Sequence, residues 1–240
     1  MARALARGWG DPVLCSDAGS GRAAALVAEL GGQSASNAEV ADLADLVVLC
    51  HKPAQLHAVA SEIAGRTKAV ASVLGSVATG KLSAEYRDAP VFRMMPNTPV
   101  EVRRGVVCYS PAREVDRELE PKVIALFARL GTVVSLDERL LDAATALMGV
   151  GPAYQALVAE AQVDAGVRYG LAPNVAARLV VETMAGSAEL ITARGYDTLT
   201  VRREVTSPGG STARGLDALE RAGLRSAFQA AIDRVCEARS

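Results

Sequence analysis

The stretch at residues 205–212, Val-Thr-Ser-Pro-Gly-Gly-Ser-Thr, combines residue types that can bind a small anion. Pro208 ends whatever helix precedes it, and the two glycines that follow let the backbone turn with few steric limits. Ser211 and Thr212 then begin an apolar-periodic segment, which predicts a loop leading into a helix. The start of a helix presents unpaired N–H groups and a partial positive charge, which suit a carboxylate. The alternative is an ordinary Pro-Gly turn followed by a Ser/Thr cap.

The elements around that loop are of two kinds. Up to residue 136, short apolar runs alternate with helical segments, and the run Leu46–Cys50 is typical of a strand buried on both faces. The other predicted strands are 12–17, 68–74, 91–95, 106–109 and 132–136. The predicted helices between them are 23–30, 37–43, 53–65, 81–86 and 115–130. This alternation predicts an α/β fold with a doubly wound parallel sheet and a nucleotide site at the carboxyl ends of its strands.

From residue 137 onward the pattern is entirely helical. The predicted helices are 138–147, 153–169, 174–193, 198–205, 211–222 and 224–238. Their many small apolar residues suit close helix packing and burial of one face against a partner subunit. We therefore predict two domains, a dinucleotide-binding domain at 1–136 and an all-helical dimerisation and substrate-binding domain at 137–240.

The composition argues against several classes of function. With 50% apolar and 22% charged residues, the 240-residue chain can form a core and does not have the composition of a disordered protein. A net charge of −1 and scattered arginines argue against nucleic-acid binding, and no apolar run reaches membrane-spanning length. The four cysteines form no C-x-x-C pair, so we expect free thiols in a reducing cytoplasm and no metal site.

Several motifs resemble the sequence pattern of pyrroline-5-carboxylate reductases, along essentially the whole chain. The most specific is the stretch at 205–212, with the Gly-Leu and Leu-Glu pairs that follow it. Residues 93–99, Arg-Met-Met-Pro-Asn-Thr-Pro, resemble the family's R-x-M-P-N-x-P, and His51-Lys52-Pro53 resembles its V-K-P. Residues 149–154 share the glycines and the Pro-Ala-Tyr of its S-G-S-G-P-A-Y. The resemblance implies a Rossmann-like first domain and an oxidoreductase.

The resemblance also implies which residues bind the cofactor, NADPH or alternatively NADH. In the family, an asparagine at the position of Asn37 contacts the adenosine ribose, and the loop at 93–99 approaches the nicotinamide. Asp17 stands where an acid binds the ribose hydroxyls of NAD, whereas Ser20 and Arg22 stand where the 2′-phosphate of NADP is held. The two signals conflict. The cofactor-binding residues expected on this basis are Ser16, Asp17, Arg22, Asn37, His51, Lys52, Pro53, Met95, Pro96 and Asn97.

The implied reaction is hydride transfer to a cyclic imine, in which 1-pyrroline-5-carboxylate is reduced to L-proline. The carboxylate would rest on N–H groups at the helix start, and Thr212 would bond the ring nitrogen and relay its proton. The family implies a homodimer, or a higher oligomer of dimers, whose interlocked helical domains bring this loop near the partner's nicotinamide. The expected substrate-binding residues are Ser207, Gly209, Gly210, Ser211 and Thr212, with Thr212 as the catalytic group.

The chain departs from the family pattern in its second half. Met148 and Val150 replace two serines, and the segment 194–197, which contains Tyr196, lacks the usual acid and proline. These differences leave two alternatives open: a reductase of another imino or keto acid, and a non-catalytic dimeric relative. In the first half, Asn37 can also be a helix cap, Lys52 a solvated lysine and His51 an incidental substitution.

The first residues, Met1-Ala-Arg-Ala-Leu5, resemble the family's G-x-G-x-M motif from its methionine onward. A dinucleotide-binding sheet normally begins with a strand and a G-x-G-type turn before this helix. We therefore expect a truncated form that binds NADPH weakly, with open sheet edges, notably beside Leu46–Cys50. If so, the DNA upstream of Met1 should contain an in-frame stretch of about ten codons. These codons should encode an apolar strand and two closely spaced glycines.

Overall fold

The computed structural model describes residues 1–111 and 117–237, which form two compact units, Met1–Pro152 and the chain from Ala153 onward. Residues 115 and 238, at which two predicted helices begin and end, lie outside the described residues. The contacts group the helical turn Glu138–Leu140 and the helix Leu141–Met148 with the first unit. The predicted division at residue 136 stays a prediction.

The first unit contains seven short strands and seven α-helices among the described residues. The strands are β1 Val13–Cys15, β2 Gly32–Ser34, β3 Val47–Leu49, β4 Val70–Ser72, β5 Val91–Pro96, β6 Gly105–Ser110 and β7 Gly131–Ser135. The helices are α1 Ala2–Trp9, α2 Arg22–Leu30, α3 Asn37–Leu43, α4 Leu56–Ile63, α5 Thr79–Glu85, α6 Glu120–Ala128 and α7 Leu141–Met148. Single 3-10 turns cover Pro53–Gln55, Thr98–Val102 and Glu138–Leu140.

The strands form two sheets. One has the order β3-β4-β5-β6-β7, and the other pairs β1 with β2. All neighbours are parallel except β5 and β6, which pair antiparallel and so correct the expectation of an entirely parallel sheet. The reason is the short connection at 97–104, because a parallel crossover needs about a dozen residues or more. Strand β2 was not predicted, since Gly-Gln-Ser is exposed and carries no apolar signal.

The five-stranded sheet is covered on both faces, as in a doubly wound fold. On one face, Leu5 of α1 and Phe127 of α6 pack against Phe92 and neighbouring strand residues. On the other, Leu56 of α4 and Tyr86, just after α5, belong to a second buried cluster. Strand β3 contributes to both clusters, which confirms the interpretation of 46–50 as a strand buried on both faces. Strand β1 was also predicted to be buried, but its three residues are only half-buried.

The second unit is all-helical. Its helices are α8 Gly151–Arg168, α9 Pro173–Ala193, α10 Thr198–Glu204, α11 Ser211–Arg221 and α12 Leu224–Glu237. Among its described residues only Ala176 is buried, and large apolar side chains on α8 and α9, such as Leu157 and Leu179, are exposed. The predicted helical second half is thus confirmed. In the two described ranges no helix is both long and apolar enough to span a membrane.

Candidate active site

The loops after β1 and β2 are joined through one asparagine side chain. Ser16 Oγ donates to Asn37 Oδ1 at 2.5 Å, and Asn37 Nδ2 donates to Glu62 Oε2 on α4 at 2.8 Å. Ser36, and not Asn37, is the N-cap of α3, in a capping box with Glu39. The helix-cap alternative for Asn37 is therefore wrong, and its amide instead connects two loops and a helix. Contact of Asn37 with a ribose stays a prediction.

The carboxylate of Asp17 is occupied by its own loop. Its Oδ1 accepts from the N–H groups of Gly19 and Ser20, and its Oδ2 accepts from Ala23 N–H at 2.9 Å and from the Ser20 hydroxyl at 2.9 Å. The Ala23 N–H, followed by the Ser20 hydroxyl, lowers the pKa of Asp17 below its ordinary value. The Asp17 carboxylate thus stabilises the loop before α2 and the first turn of that helix. Arg22, the first residue of that helix, is exposed and makes no side-chain hydrogen bond or ion pair with the described part of the chain.

His51 follows β3 and presents an unpaired acceptor at the carboxyl end of the sheet. Its Nδ1 lies 2.9 Å from the carbonyl oxygen of Lys52, which can only accept, so Nδ1 carries the proton. Nε2 is then the acceptor, and it is buried without a partner among residues 1–111 and 117–237. Pro53 begins the following 3-10 turn, as its fixed φ favours. A hydroxyl or amide donor of a dinucleotide bound at the strand ends fits this lone pair.

The end of β5 is held largely by contacts within the protein. Met95 is 6% exposed and lies in an apolar cluster with Cys108 and Leu141, against which Met148 packs. Pro96 is buried and pairs with Val107, the last pair of the β5–β6 ladder. Met148, which stands in place of a family serine, is therefore a packing residue. Contact of Met95 and Pro96 with the nicotinamide stays a prediction.

The side chain of Asn97, the residue after β5, also has partners within the protein. Its Oδ1 accepts from Val106 N–H at 2.8 Å, and its Nδ2 donates to the Met148 carbonyl at 3.1 Å. Its buried amide thus bridges β6 and the end of α7, and contact of Asn97 with the cofactor stays a prediction.

Sequence reasoning missed a polar cluster beneath this end of the sheet. Arg93 is 5% exposed and donates to Glu138 Oε1, which also accepts from the N–H and the hydroxyl of Thr79 at 2.6 and 2.7 Å. Burial acts to raise the pKa of Glu138, but the bonds from Thr79 and Arg93 outweigh it and lower the pKa overall. The available signal was an arginine within a buried strand, since such a charge requires a partner.

The second unit brings the five predicted substrate-binding residues into one turn. Gly209 has φ 69°, the left-handed region that favours glycine, and Gly210 is the N-cap of α11 without a side-chain cap bond. The first N–H paired within the helix is that of Arg214, which donates to Gly210 O at 3.3 Å. Within the described ranges, the N–H groups of Ser211, Thr212 and Ala213 have no backbone acceptor outside the helix. These N–H groups lie next to two hydroxyl groups, and binding of an anion by them stays a prediction.

A doubly wound sheet with polar groups at its strand ends, followed by a helical unit, is typical of dinucleotide-dependent oxidoreductases, and the comparisons with known proteins show this class. Residues 1–77 match a family model described as NADP oxidoreductase coenzyme F420-dependent. Residues 138–240 match one described as Pyrroline-5-carboxylate reductase dimerisation.

Relatives and solved structures agree with these matches. The chain is 36% identical over 201 residues to a pyrroline-5-carboxylate reductase of Synechocystis, covering 83% of this chain and 75% of the relative. It is 38% identical over 209 residues to the pyrroline-5-carboxylate reductase of Corynebacterium melassecola, covering 82% of this chain and 77% of the relative. The Plasmodium falciparum enzyme with NADP bound superposes with a TM-score of 0.86, at 28% identity over 98% of this chain and 92% of that one. The 1-pyrroline-5-carboxylate reductase of Streptococcus pyogenes superposes with a TM-score of 0.89 at 27% sequence identity, over 100% of this chain and 94% of that one. The chain belongs to the pyrroline-5-carboxylate reductase family.

Proposed function

We propose that the protein reduces 1-pyrroline-5-carboxylate to L-proline, as a step of proline biosynthesis. The observation that carries this proposal is the set of unpaired N–H groups at the start of α11, beside the hydroxyl of Thr212. A carboxylate fits those N–H groups and the helix dipole, and an imine nitrogen on the same small ring fits the hydroxyl. The 36–38% identity to enzymes of this name supports the same substrate.

Each residue of the loop has a part in binding or proton handling. Ser207 and Gly209 shape the turn, and the N–H groups of Ser211 and Thr212 hold the carboxylate. The Thr212 hydroxyl donates a hydrogen bond to the imine nitrogen and relays to it a proton taken up from solvent, which favours addition because hydride transfer places an electron pair on that nitrogen. NADPH, when bound at the strand ends of the first unit, supplies the hydride.

We propose NADPH as the preferred cofactor. The Asp17 carboxylate, which would bind the ribose hydroxyls of NADH, already accepts four hydrogen bonds from its own loop. Arg22 stands at the start of α2 with its guanidinium exposed, so a 2′-phosphate would gain a charge-assisted hydrogen bond there. The Ser16–Asn37 pair and the His51 acceptor are the further groups that would hold the nucleotide.

We also propose that the enzyme acts as a homodimer, built through α8 and α9, and that dimers can assemble further. The exposed apolar residues of these helices and the match to a dimerisation region support this assembly. The four cysteines are free thiols, which supports a reducing cytoplasm as its location.

The test is consumption of NADPH, followed at 340 nm, with 1-pyrroline-5-carboxylate as substrate. We expect saturable turnover that depends on the substrate, and amino-acid analysis should find L-proline in equal amount. Nucleotide binding by calorimetry is measured in parallel. Binding without turnover would favour a reductase of another imino or keto acid, and a panel of such acids would identify it. A chain that neither binds nor reacts would favour the non-catalytic relative.

A further inference from the structure

The amide of Asn97 holds two parts of the chain at once. It is 8% exposed, and both of its polar atoms have partners: Oδ1 accepts from Val106 N–H at 2.8 Å, and Nδ2 donates to the carbonyl of Met148 at 3.1 Å. Its own backbone N–H donates to Val106 O at 3.1 Å. The side-chain amide presents a neutral donor and a neutral acceptor on one short planar group, and this geometry uses both.

The Met148 carbonyl is one of the groups that a helix leaves unpaired. Met148 is the last residue of α7, and the final four carbonyls of an α-helix have no partner within it. Asn97 therefore caps this helix from the end of β5. Gly149 follows as the C-cap, and a Cβ at that position would meet the Thr145 carbonyl at 2.7 Å, so the chain leaves the helix in tight contact with it.

Apolar packing reinforces the same connection. The Met148 side chain packs on the cluster of Met95, Cys108 and Leu141, next to the strand end at which we place the nucleotide. Residues 148–151, which we term the glycine turn, are thus attached to β5 by one side-chain hydrogen bond and one packed side chain. Removal of the bond would leave this carbonyl without its partner and would therefore favour movement of the turn.

We propose that Asn97 is a positioning residue that holds the glycine turn against the end of β5, and that it is not a ligand of the nucleotide. This role rests on the proposed reduction, in which the nucleotide lies at the strand ends. Displacement of a wall of such a site by about 1 Å can lower turnover by about a hundredfold, because hydride transfer depends on the placement of its reactants. The affinity for the nucleotide need not change.

The decisive variant is Asn97→Asp, which separates the two bonds of the amide. At neutral pH the carboxylate still accepts from Val106 N–H, but it cannot donate to the Met148 carbonyl and instead repels it. We expect kcat to fall at least about tenfold, while the Kd for NADPH from calorimetry stays within about threefold of wild type. Amide hydrogen exchange at residues 145–152 should be at least about tenfold faster.

The pH dependence gives a second signature of the same bond. A protonated carboxyl group can donate to the Met148 carbonyl, so the deficit in kcat relative to wild type should narrow as the pH falls towards about 5. Gln229→Glu, the same replacement of an amide by a carboxylate at an exposed position of α12, serves as the control and should leave kcat, Kd and hydrogen exchange unchanged.

Three outcomes would overturn the proposal. One is a tenfold weaker Kd for NADPH with unchanged kcat at saturation, which would make Asn97 a direct ligand. The second is unaltered exchange at 145–152, and the third is a kcat deficit that does not depend on pH. The hydrogen-exchange measurement needs no substrate, so it tests the position of the glycine turn independently of activity. If the wild-type protein fails to reduce 1-pyrroline-5-carboxylate, that failure refutes the proposed function and leaves the exchange result to decide the role of Asn97.

Discussion

Arg93 in the middle of β5 and Glu138 in the turn after β7 form an ion pair at 2.5 Å, with Arg93 5% exposed. The same carboxylate oxygen accepts from the N–H and hydroxyl of Thr79, at the start of α5, where the N-cap residue Ala78 offers no side-chain bond. One carboxylate thus neutralises a buried guanidinium and caps a helix that is distant in sequence. It fixes the start of the segment that leads to α7.

Replacement of Glu138 by glutamine should make stability less dependent on pH. The pKa of Glu138 is lowered from its ordinary 4.5, so its stabilisation is present above about pH 4.5 and is lost as the pH falls through the lower value of the folded state. We expect Glu138→Gln to be about 1–2 kcal/mol less stable than wild type at pH 7, and the difference should shrink below about pH 4.5. Urea unfolding from pH 7 to pH 3 measures this.

A matched control for that series is Glu160→Gln, which removes an exposed carboxylate on α8. It should follow the wild-type curve throughout. A constant difference between Glu138→Gln and wild type at every pH would show that packing, and not charge, connects Glu138 to Arg93.

Loss of the Thr212 hydroxyl should impair turnover without unfolding the chain. Thr212 lies at an exposed helix start, so Thr212→Ala should keep the unfolding temperature within a few degrees. We expect kcat for 1-pyrroline-5-carboxylate to fall about a hundredfold, the usual effect of one positioned proton-handling group. Thr212→Ser keeps a hydroxyl and should retain most of the activity. Unchanged turnover in Thr212→Ala would remove this residue from the mechanism.

Gly210 and Ser207 should be energetically coupled. A Cβ at residue 210 would collide with the Ser207 hydroxyl, although φ at Gly210 is −69° and suits any residue. Gly210→Ala should therefore displace the turn and raise the KM for the imine about tenfold or more. In the Ser207→Ala background, where the colliding oxygen is absent, the same change should cost much less. Equal effects of Gly210→Ala in both backgrounds would argue that the side chain of an alanine blocks the anion directly.

Arg22→Ala should change the choice of cofactor. The loss of a charge-assisted bond to the 2′-phosphate should raise the KM for NADPH about 10–100-fold, while the KM for NADH stays within about twofold. Arg221→Ala, which removes an exposed arginine of α11, is the control for the loss of one positive charge. An equal rise for both nucleotides would mean that Arg22 supports the loop and does not read the phosphate.

Introduction of a charge on α9 should break the dimer. Leu179 is 54% exposed, and Leu179→Glu would bury an unpaired carboxylate in the proposed interface. Light scattering at micromolar concentration should give the mass of two chains for wild type and of one chain for the variant. Val102→Glu alters a residue of the first unit that is 70% exposed and should remain dimeric. A monomeric wild type would contradict the assembly itself.

The sequence by itself determined the class of fold, the helical second half and the family. These depend on local rules: apolar runs bounded by helical segments, a proline and glycines before a helix, and motifs whose residues are contiguous. Strand β3 was predicted within one residue at each end because its apolar run is continuous. The turn at 207–212 that leads into α11 was predicted for the same reason, since all its parts are neighbours in the chain.

Only the tertiary structure decided which partner each polar group has. Asp17 and Arg22 carried conflicting signals in the sequence, and it is the backbone geometry of their loop, not the residue types alone, that occupies the Asp17 carboxylate with Gly19, Ser20 and Ala23. The hydrogen bonds from Asn97 to Met148 and from Arg93 to Glu138 join residues about 40–50 positions apart in the chain. The antiparallel direction of β6 follows from the path of the short connection that precedes it. Hydrogen-bond partners of this kind are set by the packing of whole elements, which no local pattern of residue types contains.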